Sequence, residues 1–310
     1  MFTRVFGKTS FWSYLVAFLM LAGAVYWHHG IIMENDPSNG SFSKSLVILV
    51  LGILSIFCLE VSVKGAFFLQ KGNYHLPVFI LFFWILPIYE WNIWLWIATI
   101  FLWVSILQIS RAGESAYDEK VVFNAGFWML IASSFKVDFY YFFLSLWGVL
   151  YLKGLLNFKY IFLTLLPVLC IFMIGYMCSI LLPEISFIKT AIASPAEFSF
   201  LWSRDLFGST SFILIILLLT NVTLKHFQGK YQERRNHKTS FYISIVLLFS
   251  SIIVILFGGE RSGVSWISLI MVTAMLSTHF FESKSNKWIN VFFYLCLAVV
   301  FQNQIRTIFS

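Results

Sequence analysis

From Phe11 onward the chain alternates long apolar runs with short polar gaps, and the runs lack the strict in–out alternation of strands. Runs fall at roughly 11–31, 45–63, 76–90, 92–109, 120–135, 138–152, 160–182, 209–224, 240–257, 263–281 and 288–304. In lipid every backbone amide must be paired within its own segment or in a closed barrel. The absence of barrel-type alternation therefore predicts helices. Several runs are shorter than the roughly 20 residues of a full crossing.

The segment 120–152 reads two ways, as a hairpin or as one long tilted helix with Lys136 and Asp138 near its middle. Charge separates them. A single crossing would turn the basic segment Lys225 to Lys238, with Lys230, Arg234 and Arg235, to the outer side, against the positive-inside rule. The hairpin puts 15 of the 21 Lys and Arg residues on the cytoplasmic side and leaves 6 outside: Lys44, Lys136, Lys189, Arg204, Arg261 and Arg306. The expected architecture is a single all-α transmembrane bundle over 1–310. It has about eleven spans, within a range of nine to eleven, and a cytoplasmic N-terminus.

Composition sharpens this picture. Of 310 residues, 60% are hydrophobic and 11% charged, where a soluble domain carries about 25% charged residues. A bilayer has to be part of the solvent. The net charge of +7 sits in short loops beside the runs, which makes it topological rather than a nucleic-acid footprint. Cys58, Cys170, Cys178 and Cys296 all lie inside apolar runs and read as small packing residues. Arg4 and the long run after it read as a retained first helix. From about Pro183 to Gly208 the chain stays on the outer side. There Ser194-Pro195-Ala196-Glu197 has the form of a capping box, which predicts an interfacial helix near 194–207.

No Asp, Glu, Lys or Arg falls at the centre of a run, which argues against a proton-coupled pump or a charged pore. The outer gaps are richer. Trp27-His28-His29 and Glu34-Asn35-Asp36 place two imidazoles and two carboxylates within nine residues. In an extended segment Glu34 and Asp36 offer two hard oxygen ligands on one side, suited to Mg²⁺ or Mn²⁺, with His28 or His29 as a further ligand. The plain alternative is a turn at Asp36-Pro37-Ser38-Asn39-Gly40 beside interfacial aromatics. Lys136, Arg204 and Arg261 are candidate phosphate ligands, and Glu34, Asp36 or Glu260 a candidate base. Their neighbours Asp138, Asp205 and Glu260 equally suit local ion pairs.

Two resemblances are carried by these residues. Val121 to Phe135 (VVFNAGFWMLIASSF) followed by Phe139 to Leu152, the opening Phe6-Gly7-Lys8-Thr9, and Lys71-Gly72-Asn73-Tyr74 resemble a family of uncharacterised polytopic inner-membrane proteins of the Bacteroidota. Over its first half the chain more distantly resembles GT-C glycosyltransferases. Those enzymes take sugars from polyprenyl-phosphate carriers at the outer face. By position, Glu34 and Asp36 match their acidic pair and 194–207 a juxtamembrane helix, although the first outer loop here is short. That resemblance implies action on a lipid-linked sugar or envelope precursor at the periplasmic leaflet. The alternative is a non-catalytic scaffold or accessory subunit packing against other inner-membrane proteins. A small-solute transporter ranks behind both. The partners expected are membrane lipid and, in the first reading, a polyprenyl-phosphate substrate, with no nucleic acid.

Overall fold

The computed structural model describes residues 6, 11–35, 42–63, 73–85, 93–113, 118–181, 235–257, 266–282 and 286–309. Every element among them is helical: α1 (Phe11–Asn35), α2 (Phe42–Ser62), α3 (His75–Ile85), α4 (Ile93–Ser110), α5 (Asp118–Phe135), a 3₁₀ segment (Val137–Phe142), α6 (Phe143–Leu152), α7 (Phe158–Leu181), α8 (Arg235–Phe257), α9 (Trp266–Glu282) and α10 (Asn286–Phe309). The expected helix 194–207 and the run 209–224 lie outside the described residues.

Local chemistry sets the helix ends. Pro77 sits in the first turn of α3, where a missing N–H costs nothing. Asn157 caps α7 by accepting from the Tyr160 amide at 2.9 Å. The end of α6 is a Schellman closure: the Leu155 amide reaches Leu150 O at 2.9 Å and the Gly154 amide reaches Tyr151 O at 2.9 Å. That closure needs the left-handed backbone that Gly154 adopts, at φ 71°.

The segment 120–152 is a hairpin. Lys136 takes an extended conformation (φ −139°, ψ 103°) that breaks the helix. The return limb is not α-helical throughout, as expected, but begins with six 3₁₀ residues before the ten of α6. The tighter winding rises about 2.0 Å per residue, so the limb spans about 27 Å, the same as the 18 residues of α5. Sixteen residues thereby return the chain to the level from which it left. There the Lys153 ammonium donates to the carbonyls of Ser110 and Ala112 at the end of α4.

Contacts elsewhere join like ends. Tyr14, Glu60 and His75 meet where α1 starts, α2 finishes and α3 starts. Tyr74 packs on Phe281 at 5.8 Å, and Phe281 on Phe293 at 5.4 Å, linking α3 to the end of α9 and the start of α10. At the opposite end Trp94 stacks on Phe135 at 5.5 Å, and Tyr141 packs on Phe257 at 6.1 Å.

The core is built around α3 and α9. Leu76 and Val78 to Phe83 on α3, and Ile267 to Ser277 on α9, are all buried. A helix that is apolar all round and enclosed on every side is a bundle's centre. Trp103 of α4 ties into it by donating its indole N–H to Met271. Around this centre α1 and α2 expose Phe11, Trp12, Phe18, Phe42, Leu54 and Phe57, a surface that water would not tolerate as a continuous face. Among the described residues, two helical stretches, Ser45–Ser62 and Ile93–Ser110, are long and apolar enough to cross a membrane.

Candidate functional site

The best-built polar site lies where α1, α2 and α3 meet, and it centres on Glu60, an acid the sequence reading passed over. Glu60 is two residues from the end of α2, carried inward on a helix of Leu, Ile and Val. Its side chain is 11% exposed. Each carboxylate oxygen is engaged: Oε1 accepts from the Tyr14 hydroxyl at 2.6 Å, and Oε2 lies 2.5 Å from His75 Nε2. Beside it the Asn73 side-chain amide donates to Ser13 Oγ at 3.0 Å, and the Asn73 backbone N–H donates to Phe6 O at 2.7 Å. Ser13, Asn73 and His75 are fully buried.

The chemistry follows from the donor inventory. A carboxylate only accepts, so the proton in the short contact to His75 resides on Nε2 whenever Glu60 is ionised. The other ring nitrogen, Nδ1, is buried without a partner, and so is Asn73 Oδ1. Burying a carboxylate is costly unless donors replace the water it gives up. Tyr14 and His75 are two such donors, so the three helix ends are bound together by a group that each needs.

The positions expected to be functional are not gathered there. Glu34 was expected with Asp36 in an extended segment beside His28 or His29, but the chain is helical through Asn35. The backbone amides of those last turns are paired along the helix, so positions 29 and 34 are five apart on a cylinder. That is a spacing that does not set one above the other as three or four would. Asp36, Arg204, Glu260 and Arg261 lie outside the described residues. Lys136 lies at the hairpin tip, at the end of the bundle opposite Glu60. It pairs with Asp138 at 3.3 Å, the two side chains being 8% and 13% exposed. Among the described residues no group of three or more His, Cys, Asp or Glu comes together to hold a metal. Cys58, Cys170 and Cys296 are free thiols.

A signal for Glu60 was present in the sequence. It is the acid inside the run 45–63, and an ionisable residue within such a run marks a site by default. Its proximity to the end of the run made it pass for a boundary residue. No family model, no curated protein and no solved structure matches this chain.

Proposed function

We propose that the chain is a multi-pass protein of a bacterial inner membrane, with about eleven spans and a cytoplasmic N-terminus, acting at the periplasmic leaflet on a polyprenyl-phosphate-linked sugar or related envelope precursor. The observation that carries the membrane reading is the pairing of like helix ends. The ends that meet at Glu60, Lys153 and Phe281 adjoin the basic gaps, and those that meet at Phe135 and Phe257 do not. The resemblance to GT-C enzymes supports the substrate class. In this scheme Glu34 and Asp36, with His29, hold Mg²⁺ or Mn²⁺ or act as base. Lys136, Arg204 and Arg261 bind the carrier phosphate, stabilising the leaving group as the sugar transfers.

Single cysteines at positions 34 and 230, probed with a membrane-impermeant thiol reagent in intact cells and after permeabilisation, test the sidedness. Label at 34 from outside and at 230 only from inside is the expected result; the reverse ends this reading. With sidedness settled, Glu34→Ala with Asp36→Ala abolishes function at unchanged abundance. Retained function removes the enzyme.

One observation favours the non-catalytic alternative, an accessory subunit of an envelope complex. Lys136 is buried against Asp138, so binding a phosphate there requires breaking that pair. A stoichiometric partner after gentle solubilisation, together with tolerance of changes at Glu34 and Asp36, would decide for it.

A further inference from the structure

We infer that the end of the bundle where α4, α5, α6 and α7 meet binds an anionic phospholipid, its headgroup drawn to Arg111 and Lys159 and an acyl chain lying down the exposed side of α7. The site rests on the membrane reading proposed above, but not on the chemistry proposed for the opposite end.

The electrostatics of four helix ends set the place of the headgroup. Here α4 and α6 finish with their carbonyls, the negative pole of a helix, while α5 and α7 begin with their N–H groups, the positive pole. The negative poles are covered. Lys153 donates to the carbonyls of Ser110 and Ala112, and the closure at Gly154 takes up those of Leu150 and Tyr151. The ends are also tied to one another: the Gly113 amide donates to Asp118 at 2.8 Å, and Lys159 donates to Glu119 at 2.5 Å. Arg111 lies in the chain between the two residues whose carbonyls Lys153 holds; it is exposed, and among the described residues no ion pair engages it. Lys159 is 62% exposed. Its contact with Glu119 is a surface pair of little worth, and with three donors it can keep Glu119 and still serve a phosphate oxygen. Arg111, Lys120, Lys153 and Lys159 outnumber the acids Asp118, Glu119 and Glu114, the last of which lies outside the described residues.

An apolar track starts from the same place. Phe158, Phe162, Leu165 and Leu169 are exposed, and their helical spacing sets them on one side of α7. Another side of α7 is closed against α5, where Gly126 lies on the Thr164 backbone. Tyr151 and Phe158, 70% and 84% exposed, stand next to Lys153 and Lys159 in the chain. Rings so bare beside lysines suit neither water nor the hydrocarbon interior, and belong at a lipid–water interface. A molecule with a negative head and an apolar tail matches both halves of this surface. A soluble anion matches only the first half, and a zwitterionic lipid only the second.

The test uses the intact chain reconstituted into phosphatidylcholine vesicles. Traces of phosphatidylglycerol or of phosphatidylcholine, each carrying the same photoactivatable acyl chain, are crosslinked to it, and the labelled peptides are identified by mass. The expected result is phosphatidylglycerol label over Tyr151 to Leu169 about fivefold or more above phosphatidylcholine label, the weight of one cation at a lipid surface. That preference should fall as salt rises. Arg111→Gln with Lys159→Gln removes it at these residues and leaves label elsewhere on the chain unchanged. Equal label from the two lipids over Tyr151 to Leu169 overturns the inference, and so does a preference that the double variant leaves in place. Should the double variant fail to fold, Arg111→Gln alone, at an exposed position, still decides: about fivefold of the preference is lost, or the inference falls. A chain recovered outside the vesicles ends the membrane reading itself, and this site with it.

Discussion

Gly126 on α5 lies so close to Thr164 on α7 that a Cβ at position 126 would come within 2.4 Å of the Thr164 carbonyl oxygen. The obstacle is backbone, which has no rotamer to yield. Gly126→Ala is therefore expected to force the two helices apart. The overpacking cost of about 1–3 kcal/mol outweighs the roughly 1 kcal/mol that alanine gains in helix propensity. Thermal unfolding in detergent measures it, and truncating the Thr164 side chain should give no rescue. Gly148→Ala is the comparison: there the nearest atom is the Val246 Cγ1 methyl, at 2.6 Å, on a side chain that can turn, so a smaller loss is expected.

Lys153 closes the end of α4 by donating to two carbonyls that have no helical partner of their own. Lys153→Met keeps the length of the stem and removes the donors. A loss of about 1.5–3 kcal/mol is expected, the usual worth of hydrogen bonds to a charged group. Hydrogen exchange should accelerate first at Arg111 to Gly113. Unchanged protection there would mean that the two carbonyls find water instead.

The pair Ser13–Asn73 joins α1 to the residue that precedes α3 by two positions. A double-mutant cycle with Ser13→Ala and Asn73→Ala should return a coupling of about 0.5–1.5 kcal/mol. Additive losses would show that each side chain acts through its other neighbours.

Lys159 and Glu119 meet at 2.5 Å on the surface, at the starts of α7 and α5. The hydrogen bond that Lys159 donates to Glu119, and then the charge of Glu119, hold the Lys159 ammonium above its ordinary range. A raised value stabilises the fold fully below the ordinary lysine pKa of about 10.4, and that stabilisation is lost as pH climbs through the raised value. Lys159→Met should therefore differ slightly from the unmodified protein at neutral pH. It should match it in strong alkali and in high salt, where exposed pairs are screened.

Much of this architecture is legible in the chain. Runs of Leu, Ile and Phe without internal polar punctuation announce helices, and the partition of Lys and Arg identified 120–152 as a hairpin before any contact was known. The six-residue 3₁₀ start of the return limb was not legible. Apart from Asp138, Val137 to Phe142 is an aromatic and apolar stretch with no local signal for 3₁₀ winding, and its winding answers to the length of α5 beside it. Helix α1 was expected to end near residue 31 but continues to Asn35, because Ile31, Ile32 and Met33 keep the helical pattern past the two histidines.

The sequence by itself determined that the described residues are all helical and roughly where those helices fall, because apolar periodicity is a local property that a linear pattern records. Only the tertiary structure decided that Tyr14, Glu60 and His75 are one site. Tyr14 and Glu60 are 46 residues apart and Glu60 and His75 are 15 apart, and no local rule links them. They meet because a buried carboxylate must find donors, and the donors it can reach depend on how the helix ends come together in space.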